Sequence, residues 1–590
     1  MKKLFYIVKA GLVATCLGVF AGQADATTFT AVASGNFSSA ATWGGAAPPQ
    51  MVSTDVIVIP SNLTVTLDQS VTFNGLLASL VVNGTLSSAQ NEDIVLQLGT
   101  FSGSGTINVD SMSLGLSSGF GFTGTINADK FTSIGVNMSS SANVNISGSL
   151  YLASGILNLA AGNVMMAANS TVIVSGGSLM QSGGALNLTN AYSVKYMGSS
   201  NTTAGFELSG AGLKDIDISV VQGASVMLSS DLEINGMLML HSGMLDLNGN
   251  DLTFMADGDL MASGGGMITS SSASSIVINA TNGLAGTLMF STGGNTMNNL
   301  TINLGNSGSD VMLGGDIVVD GTLSLQSGRL DAGMYDVMLS SGASISGGSA
   351  TSYVVTGVGG SLTMQLAAGN TNMYAVGTAA GYAPASVMAN SGAATGYVSV
   401  GVNPDVYVNG MSGATLSSDQ PLVNHTWYVS STATANIDLN LEVMWNANAE
   451  INGFNRNTAY ISHYTNGAWD ASAVASASTT TNGMYKLSRN NVTSLSPFAV
   501  MDESAVVTGV NDIPVTNILE IYPNPVADVA VFSIGRDADI TISDLAGRVM
   551  TTLHLVAGKN EVAVDNLPAG IYAVRVYGDG YIYKTKLVKQ

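Results

Sequence analysis

The sequence predicts an all-β protein: a parallel β-helix (solenoid), then a β-sandwich, then a small C-terminal module of different composition. Three observations carry this reading. A long stretch repeats at a fixed period, apolar and polar residues alternate in very short runs inside each repeat, and glycine and asparagine stand between the runs. Only 9% of the residues are charged while 46% are hydrophobic, so Gly, Ser, Thr and Asn supply the polarity. That balance suits short strands and turns better than helices.

The opening segment, MKKLFYIVKAGLVATCLGVFAGQADATT, has a secretory layout. Lys2, Lys3 and Lys9 form its positive end, Ala10 to Ala21 its apolar part, and Ala24-Asp25-Ala26 a small-x-small cleavage site. Residues 1–26 are therefore assigned as a signal peptide. Cys16, the one cysteine of the sequence, raises a lipoprotein alternative, but Thr15 is a poor residue before a lipidated cysteine and Leu17 to Phe20 continue the apolar run. Cleavage after Ala26 leaves neither a disulfide nor a thiol nucleophile. Past this segment no apolar run reaches the ~20 residues of a membrane span.

Residues 27–350 are expected to form the β-helix with an N-terminal cap. The stretches VNISGSLYLASGILNLAAGNVMM (Val144–Met166), LEINGMLMLHSGMLDLNGNDLTF (Leu232–Phe254) and IVVDGTLSLQSGRLDAGMYDVML (Ile317–Leu339) align on Gly148, Gly236 and Gly321, 88 and 85 residues apart. Apolar-x-apolar triplets start at Leu232, Leu238, Leu245 and Leu252. Three such strands make a coil of about twenty residues that stacks on the next by parallel pairing. Asn235-Gly236, Ser242-Gly243 and Asn248-Gly249 mark turns where positive φ is expected. The 28 methionines are expected to fill irregular gaps in the core.

Near Ala350 the alternating runs lengthen, as in Tyr374–Val402 and His425–Trp445, and three of the four tryptophans fall here. Residues 351–503 are therefore read as a β-sandwich. The stretch 504–517 reads as a linker, and 518–590 as the last domain. There Pro523 and Pro525 bar a central strand, while DLAGR and LPAGIY place turns before strands.

This last domain resembles the type A C-terminal sorting domain of the type IX secretion system, found in proteins secreted by Bacteroidetes. The resemblance is carried by Tyr522-Pro523-Asn524-Pro525, by Asp544-Leu545-Ala546-Gly547-Arg548-Val549, by Leu567-Pro568-Ala569-Gly570-Ile571-Tyr572 and by Lys584-Thr585-Lys586-Leu587-Val588. It implies an Ig-like fold read by the type IX secretion machinery and removed by its sortase-like protease. The mature protein would then be released or attached to surface lipopolysaccharide, outside the cell or on the outer-membrane surface. The lead-in ASGNFSSAATWGGAAPP resembles the start of β-helical cargo of this route, with Trp43 as a cap, and Tyr374–Trp469 resembles the sandwich that follows such helices.

The net charge of −21 argues against nucleic acid, whose phosphates require Lys and Arg. β-Helical glycan-cleaving enzymes need clustered carboxylates with a base, and here the bases are few and scattered. Asn158, Asp246 and Asp331 recur at one outward position, but about four coils apart they cannot share an ion, and turn bonding explains them better. None of His241, His425, His463 and His554 has a partner at metal-ligand spacing. Trp427, Trp445 and Trp469 are candidates for glycan stacking, set against the reading that they build the sandwich core. The sequence thus predicts a secreted structural or adhesin-like surface protein, with no catalysis, cofactor or metal. The alternative is a carbohydrate-active body, either a glycan lyase or hydrolase or a glycan-binding module.

Overall fold

The computed structural model describes residues 26–97, 99–115, 119–505, 519–535, 537–544, 549–578 and 581–590. The expected signal peptide therefore lies outside the described residues except for Ala26, and the expected linker lies outside them except for Ser504 and Ala505. The chain carries a β-solenoid of about 15 turns. It folds as two compact units, one through Ser170 with Gly177–Asn187, the other Thr171–Gly176 with Leu188–Gln590.

In the first unit successive coils pair in parallel and in register. Val65, Leu86, Ile107, Ile126, Val144, Val164 and Leu186 form one column, 18–22 residues apart. All but Leu186 are buried. Removing each such aliphatic side chain from water favours the fold by roughly 1.5–3 kcal/mol. One residue further along, the chain faces outward, and Asn108, Asn127 and Asn145 form a ladder. The Asn127 amide donates to Asn108 Oδ1 at 2.7 Å, and that of Asn145 donates to Asn127 Oδ1 at 2.8 Å. At the start, Trp43 is buried, stands edge-on to Phe37 at 5.5 Å, and donates to the Phe37 carbonyl.

The second unit continues the same logic. Leu232, Leu252, Ile276, Leu300, Leu323 and Ile345 stack in register at 20–24 residues per coil. Gly243 and Gly249 have φ of 75° and 84° and Asn248 a φ of 50°, as turns require. Gly236 is different. Its φ is not positive; instead a Cβ there would lie 2.4 Å from the Lys214 carbonyl and 2.7 Å from Asp215 Oδ1 of the preceding coil. Its repeat partners Gly148 and Gly321 are pressed in the same way against Asp129 and against Asn298 and Asn299. These aligned glycines mark close approach between coils, not a left-handed turn.

The methionines divide. Met112, Met138, Met166 and Met297 are fully buried, as expected, whereas Met165, Met180, Met197, Met261, Met312 and others are exposed. Outward positions of the strands hold thioethers as readily as hydroxyls and amides, so gap filling accounts for only part of the set.

Parallel pairing runs past residue 350. Val354–Thr356 pairs with Val376–Thr378, and Asp336–Leu339 with Ser361–Leu366. The strand Ser361–Leu366 pairs in parallel on one edge and, on the other, antiparallel with Gly396–Asn403. It belongs to the last coil and to the sandwich at once. From it one sandwich sheet continues through Gly396–Asn403, Leu422–Ser431, Pro497–Asp502 and Ala459–Thr465. The other runs through Thr371–Tyr374, Ala385–Ala389, Leu439–Trp445, Tyr485–Val492 and Ser478–Thr479.

The C-terminal domain is a two-layer sandwich of a three-stranded sheet (Leu519–Tyr522, Val529–Ile534, Gly558–Ala563) and a four-stranded sheet (Val549–Leu555, Ala538–Asp544, Gly570–Gly578, Tyr581–Lys589). Val526, Phe532, Ile540, Ile542, Val574 and Leu587 fill its own core. No helix among the described residues is long and apolar enough to cross a membrane.

Candidate functional site

The C-terminal motif residues are joined by backbone hydrogen bonds. Asn524 uses both ends of its amide on the closing strand: Nδ2 donates to the Lys586 carbonyl and Oδ1 accepts from the Val588 N–H, each at 2.8 Å. Val526 then bridges to Lys589 in parallel, with the Val526 N–H on the Val588 carbonyl and the Gln590 N–H on the Val526 carbonyl. A proline on either side of Asn524 removes competing N–H donors and fixes φ on both sides of it in the bend that follows Leu519–Tyr522. Tyr522, Pro523 and Pro525 are exposed. Pro568 offers its carbonyl to the Tyr572 hydroxyl at 2.7 Å, and Tyr572 is itself buried, so the ring pins the turn before Gly570 as a tyrosine corner does in Ig-type sandwiches. Asp544 and Tyr572 are paired across adjacent strands. Lys586 is exposed. Gly547 and Arg548 lie outside the described residues, and so does the side chain of Lys584.

The three sandwich tryptophans are core residues. Trp427 and Trp445 are fully buried and Trp469 is 6% exposed. Their indole N–H groups are committed to the Ala383 carbonyl, Glu450 Oε1 and the Tyr407 carbonyl. Burial leaves none of them an open ring face for a sugar. Arg456 lies over the Tyr485 ring at 3.7 Å and forks onto Glu450, which ties the same corner together.

The sandwich also brings a serine, a histidine and an aspartate close together. Ser496 Oγ lies 2.5 Å from His463 Nε2 and also donates to the Tyr464 carbonyl. A hydroxyl has one proton, so the ring must donate to the serine and cannot act as its base. Asp470 accepts from the His463 backbone N–H and from Arg489, not from the imidazole. The order of a nucleophilic triad is therefore missing.

On the solenoid of the second unit, Lys195 and Asp217 are register partners in successive coils, and His241 follows one coil on. Lys195 Nζ lies 2.5 Å from Asp217 Oδ2, and His241 Nδ1 and Ser219 Oγ lie 3.0 and 2.5 Å from Asp217 Oδ1. Burial opposes ionisation of Asp217, but the hydrogen bonds from Lys195, Ser219 and His241 outweigh it and hold the carboxyl below the usual range. In the sequence these residues stand far apart. Their separations of 22 and 24 residues are one coil each, which was the signal that could have joined them.

Asp246 and Asp331 accept the N–H groups of Asn248 and Gly333, two residues on, and Asn158 bonds to Asn137 and Ser182. The outward position is therefore used for turn bonds and coil-to-coil bonds. A second polar group surrounds a cleft of about 280 Å³ lined by Ser307, Arg329, Thr351 and Tyr353. There Arg329 forks onto Asp310 at 2.6 and 2.8 Å and donates to the Ala379 carbonyl, so in-plane N–H donors of its guanidinium are already engaged. No group of three or more His, Cys, Asp or Glu side chains converges as a metal site among the described residues.

Residues 520–590 match the family described as the secretion system C-terminal sorting domain. No curated protein and no solved structure matches the chain. The sorting tail directs export to the cell surface or the extracellular space. A sorting domain that follows a solenoid of stacked parallel coils makes this chain a type IX secretion cargo protein with a β-helical body.

Proposed function

We propose that the exported body is a structural, adhesin-like element that works by multivalent contact along its coil faces and carries out no catalysis. The observation that carries this reading is the outward side-chain ladder: Asn108, Asn127 and Asn145 bond coil to coil, and Asn163 to Asn143 and Asn303 to Asn279 repeat the device. Such rows tie neighbouring coils together and present amide groups at successive coil spacings of about 4.8 Å. Weak contacts repeated on successive coils add through effective concentration. In this reading a sortase-like protease removes the sorting domain, and the body is released or joined to surface lipopolysaccharide. The test compares cells with and without the gene for attachment to glycan-coated and abiotic surfaces, with purified body added back as competitor. Unchanged attachment would refute the reading.

A carbohydrate-active body is the second reading, and the Lys195–Asp217–His241 group favours it, because an amine, a carboxylate and an imidazole meet on one coil face. A polysaccharide-degradation assay run beside a glycan array separates the two. Glycan cleavage that disappears in Asp217→Asn would replace the structural reading.

A further inference from the structure

We propose that the coil face around His241 is a binding site for a soft monovalent metal ion, Cu(I) or Ag(I), held by His241 Nε2 and the thioethers of Met239 and Met261. Lys195, Asp217, Met239 and Met261 occupy one outward column in four successive coils. Met239 and Met261 are register partners, so their side chains leave adjacent strands side by side, at the ordinary interstrand distance of ~4.8 Å. His241 lies two residues beyond Met239 on the same strand, and its ring reaches Asp217 of that outward column at 3.0 Å, which places it on the same face.

Three features mark this imidazole as preset for a metal. Pairing runs from Ile218–Leu240 directly to Ser219–Ser242, so His241 is the extra residue of a bulge and its side chain is re-aimed. Its Nδ1 lies 3.0 Å from Asp217 Oδ1, and an ionised carboxylate only accepts, so Nδ1 carries the proton. In the neutral ring the lone pair is then on Nε2. A carboxylate behind the ring is the usual partner of a metal-binding histidine. Lys195 on the other carboxylate oxygen balances the charge of Asp217, so the thioethers and the imidazole form a neutral, soft donor set. That set selects Cu(I) or Ag(I) over Zn(II) or hard cations.

Exposure is consistent with access. The His241 side chain is 43% exposed and Met261 46%. The fold does not need these side chains, because the sister repeats carry Tyr151 and Ala153, or Ser324 and Gln326, at the places of Met239 and His241. In neither sister do a thioether and an imidazole coincide.

The test is an anaerobic titration of the full chain, in a Cys16→Ser background, with Cu(I) against a chromophoric Cu(I) chelator, repeated with Ag(I). The expected result is one tight equivalent. His241→Ala and the volume-conserving pair Met239→Leu/Met261→Leu should each weaken it by at least tenfold, and Asp217→Asn by about 10–100-fold, as for loss of a carboxylate behind a ligand. Met373→Leu/Met388→Leu, which removes exposed thioethers of the sandwich, should leave it unchanged. X-ray absorption of the bound metal should show mixed nitrogen and sulfur ligation, and circular dichroism checks that each variant folds. Absence of a tight equivalent, or wild-type affinity retained in His241→Ala or in the Met239→Leu/Met261→Leu pair, would overturn the proposal.

Discussion

His425 stands edge-on to Trp427, with ring centroids 5.7 Å apart and planes at 83°, and its Nδ1 meets no hydrogen-bond partner. Burial alone pushes its pKa down to about 4. The native ring therefore stays neutral where the unfolded chain, titrating near 6.5, takes up a proton. Stability of the sandwich is complete above pH 6.5 and declines as pH falls from 6.5 to about 4, by on the order of 3 kcal/mol. His463 is shifted the same way, by burial and by Arg489. Denaturant midpoints followed by tryptophan fluorescence should drop across this window, and His425→Phe should flatten most of the slope. A wild-type midpoint unchanged from pH 7 to pH 4.5 would contradict this.

The ladder makes a prediction about ranking. Asn127→Ala removes a donor to Asn108 and an acceptor from Asn145, and should cost about 1–2 kcal/mol. Its chain neighbour Ile126 is fully buried, and Ile126→Ala should cost about 2–5 kcal/mol. Urea unfolding of the two variants gives the comparison, and a larger loss for Asn127→Ala would mean that the outer face, not the core, holds the coils together.

Two glycines of one repeat should respond oppositely to asparagine. Gly249 has a φ of 84° and its Cβ position meets only Ala273 Cβ at 3.6 Å, so Gly249→Asn should be nearly neutral. Gly236 is blocked by the Lys214 carbonyl at 2.4 Å, and Gly236→Asn should cost about 1–3 kcal/mol. Thermal melts of the pair measure this; equal shifts would remove the close-approach explanation.

In the sorting domain, Asn524→Ala unties the proline-flanked segment from the closing strand, and Tyr572→Phe removes the bond to Pro568. Each should cost about 1 kcal/mol of domain stability. Asn524→Ala should in addition reduce the exported fraction, measured by immunoblot of surface and periplasmic fractions. Normal export with a destabilised domain would separate folding from recognition.

Much of the fold was legible because one physical rule repeats. An aliphatic residue at every second position and a turn residue after each triplet define a coil, and the columns from Val65 and from Leu232 follow that rule. The junction was harder to read. Ser361–Leu366 has the same alternation whether its neighbour is parallel or antiparallel, so its sequence carries no mark of the change. The site was less legible for a different reason. Lys195, Asp217 and His241 meet only through coil length, which past the first coil varies from 18 to 25 residues and is settled by turns and bulges. The tryptophans were ambiguous because an alternating strand with a large aromatic residue reads the same whether that residue faces the core or a ligand.

The central claim is that residues 518–590 address an otherwise self-contained β-helical body to the outside of the cell. Truncation before Ile518, followed by protease accessibility on intact cells, tests it most directly. The account predicts that the full chain reaches the surface or medium while the truncated chain stays folded and protected in the periplasm. Truncated chain found at the surface at the full-length level would contradict it.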